Sequence, residues 1–157
     1  MYLLTSVVLT MLAVVGNAAE LGIEHGTVEP GKTTNLNVKL ISGTESPTGI
    51  QFDLQYDADS LDISIETGPV LAPAGKIMRL AAIQAGRQRV LIFGFNKNAI
   101  SSGVVATLHV SLKVPGEAGK VYPLHLTATS GTNERAETLA LVGSDGSVKV
   151  ETRRNGQ

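Results

Sequence analysis

Apolar and polar residues alternate one by one through most of the chain, a period of two that is typical of β-strands with one buried face. Leu36, Val38 and Leu40, for example, are separated by polar residues. The same alternation recurs in residues 50–56, 106–114, 122–127 and 148–150. After residue 19 no stretch keeps its apolar residues at helical spacing, so the pattern predicts strands throughout.

Turn-forming pairs separate these runs, among them Pro30-Gly31, Ser102-Gly103, Pro115-Gly116 and Asp145-Gly146. Many short strands with turns at this spacing predict an all-β fold, either a two-sheet sandwich or a barrel. The stretch Arg89 to Phe95 differs because it is apolar on both faces. We therefore expect something to cover its outer side.

The ends of the chain have a different composition from the middle. Residues 1–19 form an apolar run that ends in small residues, which is typical of a secretory signal peptide although no basic residue precedes the run. The run is short for a transmembrane anchor, so we expect no membrane span in the mature chain. Residues 20–150 are then one domain, and the polar residues 151–157 are expected to be a disordered tail. The protein would be secreted, to the extracellular space or the cell surface.

Composition excludes several classes of function. The chain has no cysteine, which removes thiol nucleophiles and thiolate metal sites. Thirteen basic residues balance fourteen acidic ones, and such a balance provides no field to attract a nucleic acid. We therefore predict no nucleic-acid partner.

One segment, Gly26 to Thr33, matches the phosphate-binding pattern G-x-x-x-x-G-K-[ST] letter for letter. That motif needs a helix after the loop, because the helix N-terminus and the loop amides hold the phosphates together. Here an alternating strand follows, and Pro30 removes one amide donor. We interpret the segment as a β-turn, Glu29 to Lys32, that joins two strands.

Other polar residues give no catalytic constellation. Asp57, Asp59 and Asp62 hint at calcium but lack the glycine and glutamate of an EF-hand loop, so Asp57 and Asp59 are interpreted as turn-stabilising residues. A looser calcium site built from several loops is the alternative. His109 and His125 are predicted to point outward from their strands, and neither is paired in sequence with a nucleophile. We predict no enzyme activity, no cofactor and no metal.

Read in order, these segments resemble the cohesin family, whose β-sandwich modules bind dockerin domains in cellulosomes and related surface assemblies. The strongest match is the strand Gly49 to Gln55 with the following Tyr56-Asp57 and Leu61, although Ala58 stands where the family usually has proline. Val28 to Gly31, the apolar strand Val90 to Phe95 and the strand Gly103 to Leu112 also match. The resemblance implies an antiparallel nine-stranded β-sandwich with jelly-roll topology.

The resemblance also implies that one sheet face docks a dockerin-bearing or other surface protein, in polysaccharide catabolism or cell-surface assembly. Family dockerin binders tend to carry Asn-x-Asp where this chain has Gly49-Ile-Gln51. An outward apolar pair, Val90 and Ile92, would form the centre of that face, unless the two side chains only pack under a loop. The complete predicted partner-binding set is Gln51, Asp53, Gln55, Val90, Ile92, Thr107, His109 and Glu137.

Two other classes of function stay open at the level of sequence. A carbohydrate-binding module would share the scaffold, but sugar faces usually present aromatic rings. Phe52, Phe93, Phe95, Tyr56 and Tyr122 all fall on predicted core positions, which leaves no aromatic strip for a polysaccharide. A structural subunit of a pilus, surface layer or secretion apparatus is the third reading.

Overall fold

The computed structural model describes residues 16–152, and these residues form twelve strands and no helix. The strands are β1 (Ala19–Ile23), β2 (His25–Val28), β3 (Thr33–Ile41), β4 (Gly49–Gln55), β5 (Leu61–Thr67), β6 (Ile77–Gln84), β7 (Arg87–Phe93), β8 (Gly103–Leu112), β9 (Val121–Thr132), β10 (Thr138–Leu139), β11 (Leu141–Ser144) and β12 (Gly146–Val150). In this part of the chain no segment is a helix that could cross a membrane.

The strands form two sheets that pack as a sandwich. One sheet has the order β11-β1-β3-β8-β5, and the other has the order β2-β12-β9-β4-β7-β6 with β10 paired to β9. The predicted all-β sandwich is confirmed. All strand pairs are antiparallel except β1 with β11 and β2 with β12, which are parallel.

The strand count exceeds the predicted nine because the chain changes sheets near both ends. A break at Glu24 separates β1 from β2, and a break at Asp145 separates β11 from β12, so each run contributes to both sheets. The two-residue β10 is the remaining addition. The parallel pairs arise from the same geometry, because the first and last runs lie side by side in both sheets.

The core lies between the sheets and is filled by the apolar members of the alternating runs. Strands β3, β4, β8 and β9 follow the predicted inward parity. Among the fully buried side chains are Phe52, Leu54, Leu108, Leu124 and Val38. Burial of such side chains contributes about 1.5–3 kcal/mol each to folding before the loss of conformational entropy is counted.

Strand β7 has the opposite parity from the one predicted. Val90 and Ile92 are 0% and 1% exposed, and they belong to the core. The prediction that they form an outward apolar pair was therefore wrong. Because successive side chains of a strand point to opposite faces, Leu91 and Phe93 point outward instead.

Two turns that the sequence predicts are present in the structure. The Lys32 N–H donates to the Glu29 carbonyl at 3.0 Å, and Gly31 has a φ of 79°, so the segment between β2 and β3 is the predicted turn. Asp57 accepts hydrogen bonds from the Asp59 N–H at 3.0 Å and the Ser60 hydroxyl at 2.7 Å. The turn-stabilising role is confirmed for Asp57, whereas Asp59 contributes its backbone N–H to this turn and not its carboxylate.

The predicted signal peptide and tail fall largely outside the described residues, which exclude 1–15 and 153–157. Ala19, the last residue of the predicted leader, is the first residue of β1 and is buried against the core. Glu151 still pairs with the sandwich, because its N–H donates to the Val28 carbonyl at 2.9 Å. Cleavage after residue 19 and disorder of the tail stay predictions.

Candidate docking face

The outer side of four neighbouring strands, β9, β4, β7 and β6, carries the most distinctive surface of the protein. Arg89 on β7 lies directly opposite Asp53 on β4, and Asp53 lies opposite Thr127 on β9. We call this surface the β4–β7 face. Its outward residues are His125, Thr127, Ser130 and Thr132 on β9, Gln51, Asp53 and Gln55 on β4, Arg87, Arg89, Leu91 and Phe93 on β7, and Ile77, Arg79 and Ala81 on β6.

At the centre of the face, one carboxylate is held under two guanidinium groups. Arg87 donates from Nε and Nη2 to Oδ2 of Asp53 at 2.9 and 2.7 Å. Arg89 donates from Nε to Oδ1 at 2.7 Å and from Nη2 to Oδ2 at 3.0 Å. Asp53 is completely buried, whereas the arginine side chains are 31% and 33% exposed. The arginines therefore form the outer surface, and the carboxylate lies beneath them.

This arrangement fixes the charge states of the group. Hydrogen bonding from Arg89 holds the pKa of Asp53 below its usual value, against the opposing effect of burial, and Arg87 adds to the lowering. The same contact with Asp53 raises the pKa of Arg89. All three groups are charged at neutral pH, and the cluster presents a net positive surface.

One end of the face is apolar. Phe93 and Ile77 lie opposite each other on β7 and β6, and both are exposed. Leu91 is the next outward residue of β7 and is half-buried. Phe95, two residues beyond β7, is 100% exposed. Exposed large apolar side chains beside a charged cluster are what an interaction surface needs, because association can then bury them.

A bulge in β9 shapes the opposite side of the face. The pairing of β4 with β9 shifts between Gln51 and Asp53, which places the extra residues of β9 beside the central carboxylate. Ala128 in this bulge has a φ of 50°, a conformation that costs a non-glycine residue about 1–2 kcal/mol. The bulge brings Thr127 and Ser130 to the same side as the β4 residues.

Several titratable side chains outside the central Asp53 cluster make local contacts, and the described residues contain no metal cluster. His125 lies 2.9 Å from Asp145, and His25 lies 2.8 Å from the Ser147 hydroxyl. The pKa of Asp145 is lowered, first because the Leu126 N–H donates to its carboxylate and then because of His125. Between residues 16 and 152, no three His, Asp or Glu side chains gather as a metal site would require.

Comparison with known proteins gives the family. The family model described as "Cohesin domain" matches residues 19–150. The chain belongs to the cohesin family. No curated protein matches this cohesin at the level of sequence.

Solved cohesins have the same fold at low sequence identity. The sixth cohesin of scaffoldin B from Acetivibrio cellulolyticus, solved with a mutant Cel5 dockerin, is 20% identical with a TM-score of 0.75, over 86% of this chain and 100% of that one. A type I cohesin from Clostridium thermocellum, also solved with a dockerin, is 18% identical with a TM-score of 0.72, over 85% and 94%. A non-cellulosomal cohesin from the archaeon Archaeoglobus fulgidus is 10% identical with a TM-score of 0.70, over 88% and 94%.

Only part of the predicted partner-binding set lies on the β4–β7 face of the cohesin. Gln51, Asp53 and Gln55 share the β4–β7 face, with Asp53 covered by the arginines. Glu137 lies in the turn between β9 and β10, where it accepts hydrogen bonds from Asn133 at 2.9 Å and from Arg135 at 2.8 Å. These two contacts lower the pKa of Glu137, with Asn133 contributing first. Its visible role is to hold the turn.

Two residues of the predicted partner-binding set lie in the other sheet of the sandwich. Thr107 and His109 belong to β8, which is in the other sheet, so they cannot share a face with Gln51. His109 there bridges Asn35 and Glu66, each at 2.7 Å. The prediction of one common face was wrong for both residues, because alternation separates inward from outward positions without saying which sheet a strand joins.

The predicted set lacks the side chains that dominate the face of this cohesin, namely Arg79, Arg87, Arg89, Leu91 and Phe93. A usable signal was present for Arg87 and Arg89, because residues two apart on a strand share a face and both residues follow the turn at Ala85-Gly86. For Leu91 and Phe93 no such signal was available. Strand β7 is apolar on both faces, so alternation does not indicate which of its side chains point outward. Phe93 and Phe95 also correct the prediction that every aromatic ring is in the core.

Proposed function

We propose that this cohesin is a non-catalytic docking module that binds a dockerin-bearing protein through the β4–β7 face. The observation that carries the proposal is the exposed apolar end of that face, Leu91, Phe93 and Ile77, beside the partly exposed arginines. A surface of this composition gains free energy when a partner covers it, at about 25 cal/mol for each Å² of apolar area removed from water. The solved relatives that are complexed with dockerins supply the class of partner.

The proposed setting is outside the cell, in polysaccharide breakdown or in surface assembly. The apolar segment 1–19 supports export, and the absence of cysteine is compatible with it because a domain of this size folds on its apolar core alone. No catalytic role is proposed, since His109 and His125 pair with carboxylates, and His25, which lies 2.8 Å from the Ser147 hydroxyl, has no carboxylate partner among the described residues.

The test is calorimetric titration of the purified protein with calcium-loaded dockerins, for the wild type and for two variants. Leu91→Asp places a charge in the apolar end and is expected to weaken binding at least about thirtyfold, because hot-spot contacts cost 2 kcal/mol or more when lost. Val142→Asp is the matched control, since Val142 is an exposed apolar residue on β11 in the other sheet. Equal binding by all three proteins would remove the β4–β7 face from the proposal.

A second candidate function, carbohydrate binding, is favoured by one observation. Phe93 and Phe95 expose aromatic rings near the end of β7, and such rings can stack on the apolar faces of sugars. Sedimentation of the protein with insoluble cellulose or xylan tests this function directly. Retention that is lost in the double variant Phe93→Ser/Phe95→Ser would support it, and no retention by the wild type would exclude it for those polymers.

A further inference from the structure

The β4–β7 face has a charge opposite in sign to that of the whole protein. Strands β4, β6, β7 and β9 contain three arginines and one aspartate as their full charges, a sum of +2, and the Asp145 carboxylate contacts His125 at the β9 edge of the face. The chain as a whole carries −1. The positive charge is therefore concentrated on the surface that also carries the exposed apolar end.

The arginines keep hydrogen-bonding capacity for a partner. Arg87 and Arg89 each use Nε and one terminal nitrogen on Asp53, whereas a guanidinium has five N–H donors. Asp53 also fixes the planes of both groups, so little side-chain entropy is lost when they bind. Arg79 lies opposite Leu91 on the same face and is exposed. Planar, pre-oriented guanidinium groups are suited to partner carboxylates.

The charges and the apolar residues are separated along β7. Phe93 lies four residues from Arg89 and six from Arg87 in the strand. At 3.3 Å per residue, these intervals are about 13 and 20 Å. A helix laid along the strand would cover the same distances with about 9 and 13 residues.

From this arrangement we infer that the partner of the β4–β7 face is an acidic protein surface: a dockerin-type helix with an apolar side chain on Phe93 and, about 9 to 13 residues away, carboxylates on the arginines. The inference rests on the proposed function and adds the chemistry and the orientation of the partner. Electrostatic attraction of this kind sets the association rate and the register of a complex more than its total affinity.

A polyanion fits the face less well than an acidic protein does. Nucleic acids and acidic polysaccharides carry charge on every repeat and would bring charged groups over Phe93 and Ile77 as well as over the arginines. Desolvation of those charges on apolar side chains is unfavourable. A folded partner can present carboxylates at one end of its surface and an apolar residue at the other, which matches the observed separation.

The experiment is a selection from a displayed library of one calcium-loaded dockerin domain whose exposed helical positions are randomised. Selection on the wild-type protein is expected to enrich Asp and Glu at one end of the helix. The selected binders are then measured against Arg79→Glu/Arg87→Gln, which keeps Arg89 on Asp53 and changes the charge of the face by −3. Lys32→Glu/Lys39→Gln makes the same change of charge away from the face, since Lys32 is in the β2–β3 turn and Lys39 is an exposed residue of β3 in the other sheet.

The expected result is a loss of affinity of about tenfold for the arginine variant at low salt, less at 0.5 M NaCl, and less than about twofold for the lysine variant. Binders without acidic enrichment, or with equal affinity for both variants, would overturn this inference and leave the docking function intact. If no binder is selected, both fail. If no dockerin binder is selected but the wild type binds polygalacturonate, and the arginine variant binds it more weakly, the partner is a polyanion and not a protein.

Discussion

The buried carboxylate of the β4–β7 face allows a quantitative prediction. Asp53→Ala removes the acceptor of four charge-assisted hydrogen bonds from Arg87 and Arg89. Such bonds contribute about 1.5–3 kcal/mol each when measured singly, and they are not additive. Because both arginines are about one-third exposed, water can replace the lost carboxylate. We expect the free energy of unfolding to fall by about 2–3 kcal/mol.

The pH dependence of this loss has a definite sign. The pKa of Asp53 in the folded protein lies below that of an unfolded aspartate, which is about 3.9, and the first cause is the hydrogen bond from Arg89. The carboxylate therefore contributes its full stabilisation above about pH 5 and loses it as the pH falls through the folded pKa. The difference in the free energy of unfolding between the wild type and Asp53→Ala should be constant from pH 5 to 8 and should become smaller below about pH 4.

Urea denaturation followed by circular dichroism measures both the loss of unfolding free energy at pH 7 and its dependence on pH. Asp59→Ala is the control, because Asp59 is an exposed aspartate in the turn after β4, and its removal should change stability by less than about 0.5 kcal/mol. A loss of less than about 0.5 kcal/mol in the free energy of unfolding of Asp53→Ala at pH 7, or a loss that grows on acidification, would contradict a stabilising role for the Asp53 carboxylate.

Four further substitutions test the packing, each by the same denaturation assay. Gly68→Ala should cost about 2 kcal/mol or more, because the new Cβ would lie 2.2 Å from the Val104 carbonyl oxygen; a neutral result would mean that this backbone contact is looser than described. Ala128→Gly should stabilise the protein by about 0.5–1 kcal/mol by relieving its positive φ, and destabilisation would argue against the bulge. Phe52→Ala should cost about 3–5 kcal/mol as a core cavity, whereas Phe95→Ala should change stability by less than about 0.5 kcal/mol; similar costs for both would contradict their placement.

The fold could be predicted from the sequence because most strands have one apolar and one polar face. In β3, β4, β8 and β9 the alternation itself says which side chains enter the core, and Phe52, Leu108 and Tyr122 are buried accordingly. The turn at Glu29 to Lys32 was equally readable, since its proline and glycine have fixed conformational preferences.

The docking face was predicted less well for two physical reasons. Strand β7 is apolar on both sides, and a shift of one residue in parity exchanges Val90 and Ile92 for Leu91 and Phe93. The second reason concerns topology. Outward positions such as His109 were recognised correctly. The sheet that His109 joins is decided by the long-range pairing of β8 with β3 and β5, and local alternation carries no information about that pairing.

The most direct test of the account is titration calorimetry of the purified protein against every dockerin-type domain encoded in the same genome, with calcium and with a chelator. We predict saturable, calcium-dependent binding of at least one of these domains, lost in Leu91→Asp and retained in Val142→Asp. Binding by none of them, or binding that Leu91→Asp leaves unchanged, would contradict a docking function for the β4–β7 face.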